Sequence, residues 1–166
     1  REGPARLWRT GPGPPALMTP KLPVSVLVVV HTAALDVLLL ERASRPGYWQ
    51  SVTGSLDRLD EPLADAARRE LQEETGIAAS SGRLDAWNVV NVFEIFTEWR
   101  HRFAAGTTHN TEHVFGMRLP GRLPIVLDAQ EHTAYAWLPW REAADQCFSW
   151  SNQDAIRMLP ARSAPA

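Results

Sequence analysis

The chain has 166 residues, 45% of them hydrophobic and 22% charged, the balance of one domain with a core of its own. Its formal net charge of −2 provides no basic field to attract nucleic acid or an anionic membrane. The single cysteine, Cys147, excludes an internal disulfide framework and suits a reducing, cytoplasmic compartment, and the longest apolar run, Val26 to Val30, is far too short to span a bilayer.

Residues 1 to 20 are rich in Pro and Gly and have no apolar stretch of the secretory kind. They read as a disordered extension, with Met18 a candidate start; 21 to 160 form the domain, and 161 to 166 an unstructured tail. Pro23 to Val30 is an apolar, β-branched run of the kind buried on both faces of a sheet. His31 to Asp36 should turn, Val37 to Glu41 form a second strand, and Trp49 to Thr53 a short one that feeds Gly54. Leu84 to Trp99 alternates enough for one or two strands. Others are expected at Glu112 to Leu119, Pro124 to Leu127 and Tyr135 to Leu138, with helices at Trp140 to Gln146 and Asn152 to Leu159. The order of elements gives a mixed α+β domain, not a regular βαβ repeat.

The most informative helix lies between Glu61 and Gly76. Pro62 suits a first helical position, where its missing N–H costs nothing, and Glu61 before it favours the helix N-terminus. Leu63, Ala67 and Leu71 form one apolar stripe, and Gly76 suits a left-handed cap. Glu70, Glu73 and Glu74 then crowd one face, where like charges cost a few tenths of a kcal/mol per pair, so that face is not selected for stability. Clustered hard oxygens suit Mg²⁺ (or Mn²⁺), and Mg²⁺ suits a phosphate substrate. Arg69, one turn before Glu73, is placed to hold that carboxylate.

Gly54, Glu61, Arg69, Glu70, Leu71, Glu73, Glu74, Gly76 and Ile77 together resemble the Nudix box, although the loop between Gly54 and Glu61 is one residue longer than the family pattern. That resemblance implies the Nudix fold, a mixed β-sheet sandwiched between α-helices, and Mg²⁺-dependent hydrolysis of a diphosphate linkage in a small molecule. The segments KLPVSVLVVV, YWQSVTGS, FEIFTEWRHRF, GTTHNTEHVF, EHTAYAWL and FSWSNQDAI resemble a subfamily, the dihydroneopterin triphosphate pyrophosphatases of folate biosynthesis. From that likeness Glu70, Glu74 and Glu131 are expected to carry the metal. Glu73 or Glu131 is the expected base, with Arg69 fixing geometry. Lys21, Arg42, Thr53, Phe93, Glu94, Ile95, Phe96 and Ser149 are expected to contact substrate. A nucleotide-pool sanitising enzyme is the nearer alternative, a non-catalytic nucleotide-binding module the distant one.

Within this set, Glu94 between Phe93 and Phe96 is the expected acceptor for the amino group and ring N–H of a pterin or guanine. Ser149 and Asn152 are the candidates for hydroxyls of the link between ring and phosphates. Other residues stay open. Arg100, His101 and Arg102 form either a solvated turn or a polyphosphate contact, and Asn110, Thr111 and Glu112 either cap a turn or line the site. Trp87, Trp99 and Trp150 divide between core and stacking, and Cys147 reads as buried filler.

Overall fold

An unbroken apolar strand needs cover on both faces, and β1 (Val24–Thr32) has it. In the computed structural model, which describes residues 19–163, its side chains alternate between two cores. Val26, Val28 and Val30 cluster with Ala66, Ala67 and Leu71 of helix α1 (Leu63–Thr75). Leu27 and Val29 cluster with Ala143 and Ala144 of α2 (Trp140–Gln146), Ala155 and Ile156 of α3 (Trp150–Arg157) and Leu159 of α4 (Leu159–Arg162). The sheet is therefore the middle layer between helices.

The other strands are β2 (Asp36–Arg42), β3 (Trp49–Gln50), β4 (Val52–Ser55), β5 (Arg83–Glu94), β6 (His109–Leu119) and β7 (His132–Pro139). They join β1 in a seven-stranded mixed sheet, in which β3, β2, β1, β6 and β5 are successive neighbours. β1 runs parallel to β6 from Val24 opposite Thr111 to Thr32 opposite Leu119. Its other edge is divided. Antiparallel β4 pairs with Ser25 through Val28, while β2 meets β1 only at His31 opposite Val37. That division sets Thr53 and Gly54 beside the start of β1, against α1.

α1 ends as its sequence demands. Gly76 has φ 73°, and its N–H donates to the Gln72 carbonyl, a left-handed cap that most side chains would strain. Several expected boundaries move. β1 continues through His31 and Thr32, and β6 starts earlier than Glu112, because parallel pairing extends both strands. Of the Leu84 to Trp99 segment, the part up to Glu94 is one strand, kinked where its register with β6 shifts between Ala86 and Val90, and Asn88 there has φ 56°. After it, Thr97–Arg102 coils into a 3₁₀ helix and is not strand. The short strand expected at Pro124 to Leu127 does not form. Val126 instead donates its N–H to the Thr75 carbonyl at the end of α1, so the segment is tied to a helix terminus and not to a sheet edge.

Ala161 and Arg162, expected in the tail, belong to α4, and the Arg162 guanidinium lies 5.7 Å from the Trp87 ring centre. The expected extension, with Met18, lies outside the described residues except for Thr19 and Pro20, as does the tail beyond Ser163. Among the described residues no helix is long and apolar enough to cross a membrane.

Candidate active site

Arg69 organises the acidic face of α1. Its Nε and Nη2 reach the Glu61 carboxylate at 2.9 and 3.2 Å, its Nη1 reaches Glu70 at 2.8 Å, and Nη2 also donates to the Ser55 carbonyl at 3.1 Å. The expected hold on Glu73 is the weak member of the set, at 3.5 Å. Two of the fork's nitrogens are taken by Glu61, which also accepts from the Asp57 N–H at 2.7 Å. Arg69 therefore ties the longer box loop to the helix and steadies Glu70, while Glu73 stays exposed.

Glu70 and Glu74 are buried carboxylates on adjacent turns. Burial pushes Glu70 up to about 7 against the pull of Arg69. Burial also pushes Glu74 well above the usual carboxylate range, reinforced by the charge of Glu70, although the Thr53 N–H donates to it at 3.2 Å. Two hard oxygen donors held in this unfavourable state fit a divalent cation, which would relieve the charge that burial penalises.

Gly54 is fixed by the same packing. A Cβ there would stand 2.1 Å from the Glu70 carboxyl carbon, so the extra loop residue leaves this glycine in its place against the helix. Glu131 lines the same cavity from the loop before β7. However, among the described residues no group of three or more His, Cys, Asp or Glu side chains stands in a metal-ligating arrangement. The expected trio of Glu70, Glu74 and Glu131 shares one cavity without being preassembled.

That cavity, about 1010 Å³, runs from the acidic face of α1 past β4 to the start of α3. Every expected site residue lines it: Lys21, Arg42, Thr53, Arg69, Glu70, Glu73, Glu74, Phe93, Glu94, Ile95, Phe96, Glu131 and Ser149. Desolvation lowers the ammonium of Lys21 and the guanidinium of Arg42, and the charge of Arg102 lowers both further. Three cations thus crowd one region. Of the undecided basic cluster, Arg102 belongs to the cavity lining, Arg100 turns back to pair with Glu94, and His101 is exposed.

An aromatic wall completes the cavity. Trp99 lies 5.0 Å from Phe96 and 5.9 Å, edge on, from Phe148, and the Arg42 guanidinium lies 4.7 Å from the centre of its ring. Trp150 is half exposed on the same lining, whereas Trp87 is core. Sequence reasoning missed Phe148 and left Trp99 open, because the ring contacts join segments far apart in the chain. Cys147 is buried in the helix-side core, and burial pushes its thiol up to about 12.

Two expected contacts meet competing partners. Glu94 lines the cavity, but it is exposed and one of its carboxylate oxygens is paired with Arg100. Asn152, although it also lines the cavity, is almost fully buried and turns its amide to Ser51. Its Oδ1 accepts from the Ser51 N–H at 2.8 Å and its Nδ2 donates to the Ser51 hydroxyl at 2.9 Å. Ser149 caps α3, accepting from the Asn152 N–H at 3.3 Å, and still lines the cavity. Asn152→Ala orphans both Ser51 groups and should cost about 1–3 kcal/mol of stability. In thermal melts that is a fall of about 2–4 °C per kcal/mol, and an unchanged midpoint would show that Ser51 finds other partners.

The chain resembles known proteins in sequence and in fold. A family model described as the NUDIX domain matches residues 21–159. The chain is 43% identical, over 148 residues, to a protein of Escherichia coli (strain K12) named dihydroneopterin triphosphate diphosphatase, spanning 87% of this chain and 96% of that one. A protein of the same name from Haemophilus influenzae is 37% identical over 136 residues, 80% of this chain and 84% of that one. The solved structure of the E. coli dihydroneopterin triphosphate pyrophosphohydrolase superposes with a TM-score of 0.81 at 41% identity, covering 87% of this chain and 99% of that one.

Proposed function

We propose, from the premise that the chain belongs to the Nudix family, that it hydrolyses dihydroneopterin triphosphate to dihydroneopterin monophosphate and pyrophosphate. The observation that carries this reading is the single cavity in which buried carboxylates, three cations and an aromatic wall meet. A triphosphate joined to a flat heterocycle needs all three. The substrate is one of folate biosynthesis, a cytoplasmic setting is part of this proposal, and a single buried thiol suits a reducing compartment.

Lys21, Arg42 and Arg102 neutralise the phosphate oxygens, and the two guanidinium groups can do so through paired N–H donors. Glu70 and Glu74 would hold Mg²⁺, with Glu131 in the lining of the same cavity as a further oxygen donor. When bound, the cation supplies positive charge to the phosphoryl oxygens and to the attacking water. Arg69 keeps Glu70 in position and fastens the loop that carries Glu61. Exposed Glu73, or Glu131, accepts the proton from water as its oxygen attacks the phosphorus nearest the organic group. The new P–O bond forms as the anhydride bond breaks, pyrophosphate leaves, and no residue becomes covalently attached. Phe96, Trp99 and Phe148 provide faces on which the heterocycle stacks.

Pyrophosphate release from a panel of triphosphates tests the assignment. Activity should be absent in chelator and restored by Mg²⁺. Dihydroneopterin triphosphate should exceed every common deoxynucleotide in kcat/KM, with purine nucleotides weaker and pyrimidine nucleotides poorest. A deoxynucleotide that outranks the pterin would make this a nucleotide-pool sanitising enzyme. Sequential release of single phosphates would exclude the scheme.

A further inference from the structure

β6 is an inner strand, covered by β1 on one side and β5 on the other, yet it carries two polar side chains on one face at alternate positions, Asn110 and Glu112. Both are more than nine-tenths buried, and both line the cavity. Neither is satisfied. Asn110 spends its Nδ2 on the Ser25 hydroxyl at 2.8 Å, which leaves Oδ1 without a partner, and Glu112 Oε1 has none either. Buried acceptors without donors are costly, and two of them at alternate positions on one strand face are hard to explain as packing.

We infer that Asn110 and Glu112 form the subsite that reads the heterocycle, with Asn110 Oδ1 and Glu112 Oε1 accepting hydrogen bonds from an amino group and the adjacent ring N–H. The inference rests on the proposed function for the placing of a heterocycle in this cavity, and it goes beyond it by naming the readers. Their chemistry selects a 2-amino-4-oxo ring, as in pterin and guanine, where two donors stand next to each other. Adenine offers an amino group beside an unprotonated ring nitrogen, so one of the two acceptors would face another acceptor. Phe148 and Trp99 line the same cavity and supply the apolar faces for such a ring. Burial pushes the Glu112 carboxyl up, opposed by Ser151 and Asn91, and donors from the ligand would favour its charged form. This also accounts for the site's tolerance of Glu94 in an ion pair: the acceptors required lie deeper, on β6.

The test compares substrates that differ only in the ring edge. In Glu112→Gln, which keeps the side-chain shape, the ratio of kcat/KM for dGTP to that for dATP should fall about 10- to 100-fold, and dihydroneopterin triphosphate should follow dGTP. An unchanged ratio overturns the assignment of Glu112. Should that variant fail to fold, the wild-type protein decides with dITP, which lacks the amino group: it should fall about 10-fold or more below dGTP, and equal kcat/KM for the two overturns the proposal. Failure of the proposed function looks different. A wild-type enzyme that splits dGTP but not the pterin triphosphate removes the pterin assignment and leaves the dGTP, dATP and dITP comparisons to judge the subsite.

Discussion

Glu74→Gln should lower kcat by about 100-fold or more and, in metal-free buffer at pH 8, should raise the melting temperature. Both effects have one cause. Glu74 is buried beside Glu70, and the fold holds its charged form at a cost. Glutamine keeps the shape and can still accept from the Thr53 N–H, but it removes the repulsion and a ligand charge. The pH dependence follows from the sign of the shifts. Folding raises the Glu70 and Glu74 carboxyls, so the stability they allow is fully present below their ordinary value of 4.5 and is lost as pH rises, for Glu70 through about 7.

The gain from Glu74→Gln should therefore be largest above pH 7 and vanish in acid. Buried His31 and His132 act in the opposite direction, because burial lowers both and their share is lost as pH falls below 6.5, but this background is common to both proteins. Each kcal/mol relieved is worth about 2–4 °C in a domain of this size. Mg²⁺ should raise the wild-type midpoint and leave the variant nearly unmoved. A variant with full activity, or a wild-type midpoint indifferent to Mg²⁺, would remove Glu74 from the metal site.

Gly54→Ala should be nearly as damaging to turnover, through space and not through charge. A methyl group at this position would stand 2.1 Å from the Glu70 carboxyl carbon, far inside van der Waals contact. The obstacle is the end of a side chain, so Glu70 swings aside and the sheet persists. We expect kcat to fall by about 100-fold, the scale of losing one charge-stabilising group, with only a small loss of stability. A fully active Gly54→Ala would show that Glu70 needs no fixed place. A protein that fails to fold would show that the carboxylate cannot move, and Gly54→Ala combined with Glu70→Ala, which empties the space, should then fold again.

The Glu112 subsite shows where reading the sequence stops. The charged helix face of α1, its apolar stripe and its glycine cap are contacts within a few turns of one helix, and periodicity fixes them without knowledge of the rest of the chain. The double burial of β1 follows equally from an apolar run with no polar break. Local spacing thus determined which helix carries the clustered carboxylates and an α+β order of elements, while the mixed sheet was implied by the family resemblance. The residues outside that helix, from Lys21 to Ser149, came from the family resemblance and not from spacing, and they line the cavity.

Burial and partner choice were decided only in three dimensions. Glu94 and Glu112 are both acids on strands, but β5 is at the sheet edge, where Glu94 is exposed and meets Arg100, while β6 is covered on both sides and Glu112 keeps an oxygen without a donor. Asn152 was turned to Ser51, far away in sequence, because α3 lies against the junction of β3 and β4. Arg69 chose Glu61 over Glu73, since the box loop folds back to present a carboxylate to its Nε and Nη2 together. Local sequence specifies which groups are present; tertiary packing specifies which of them are left without partners, and unpaired groups are the ones a substrate can use.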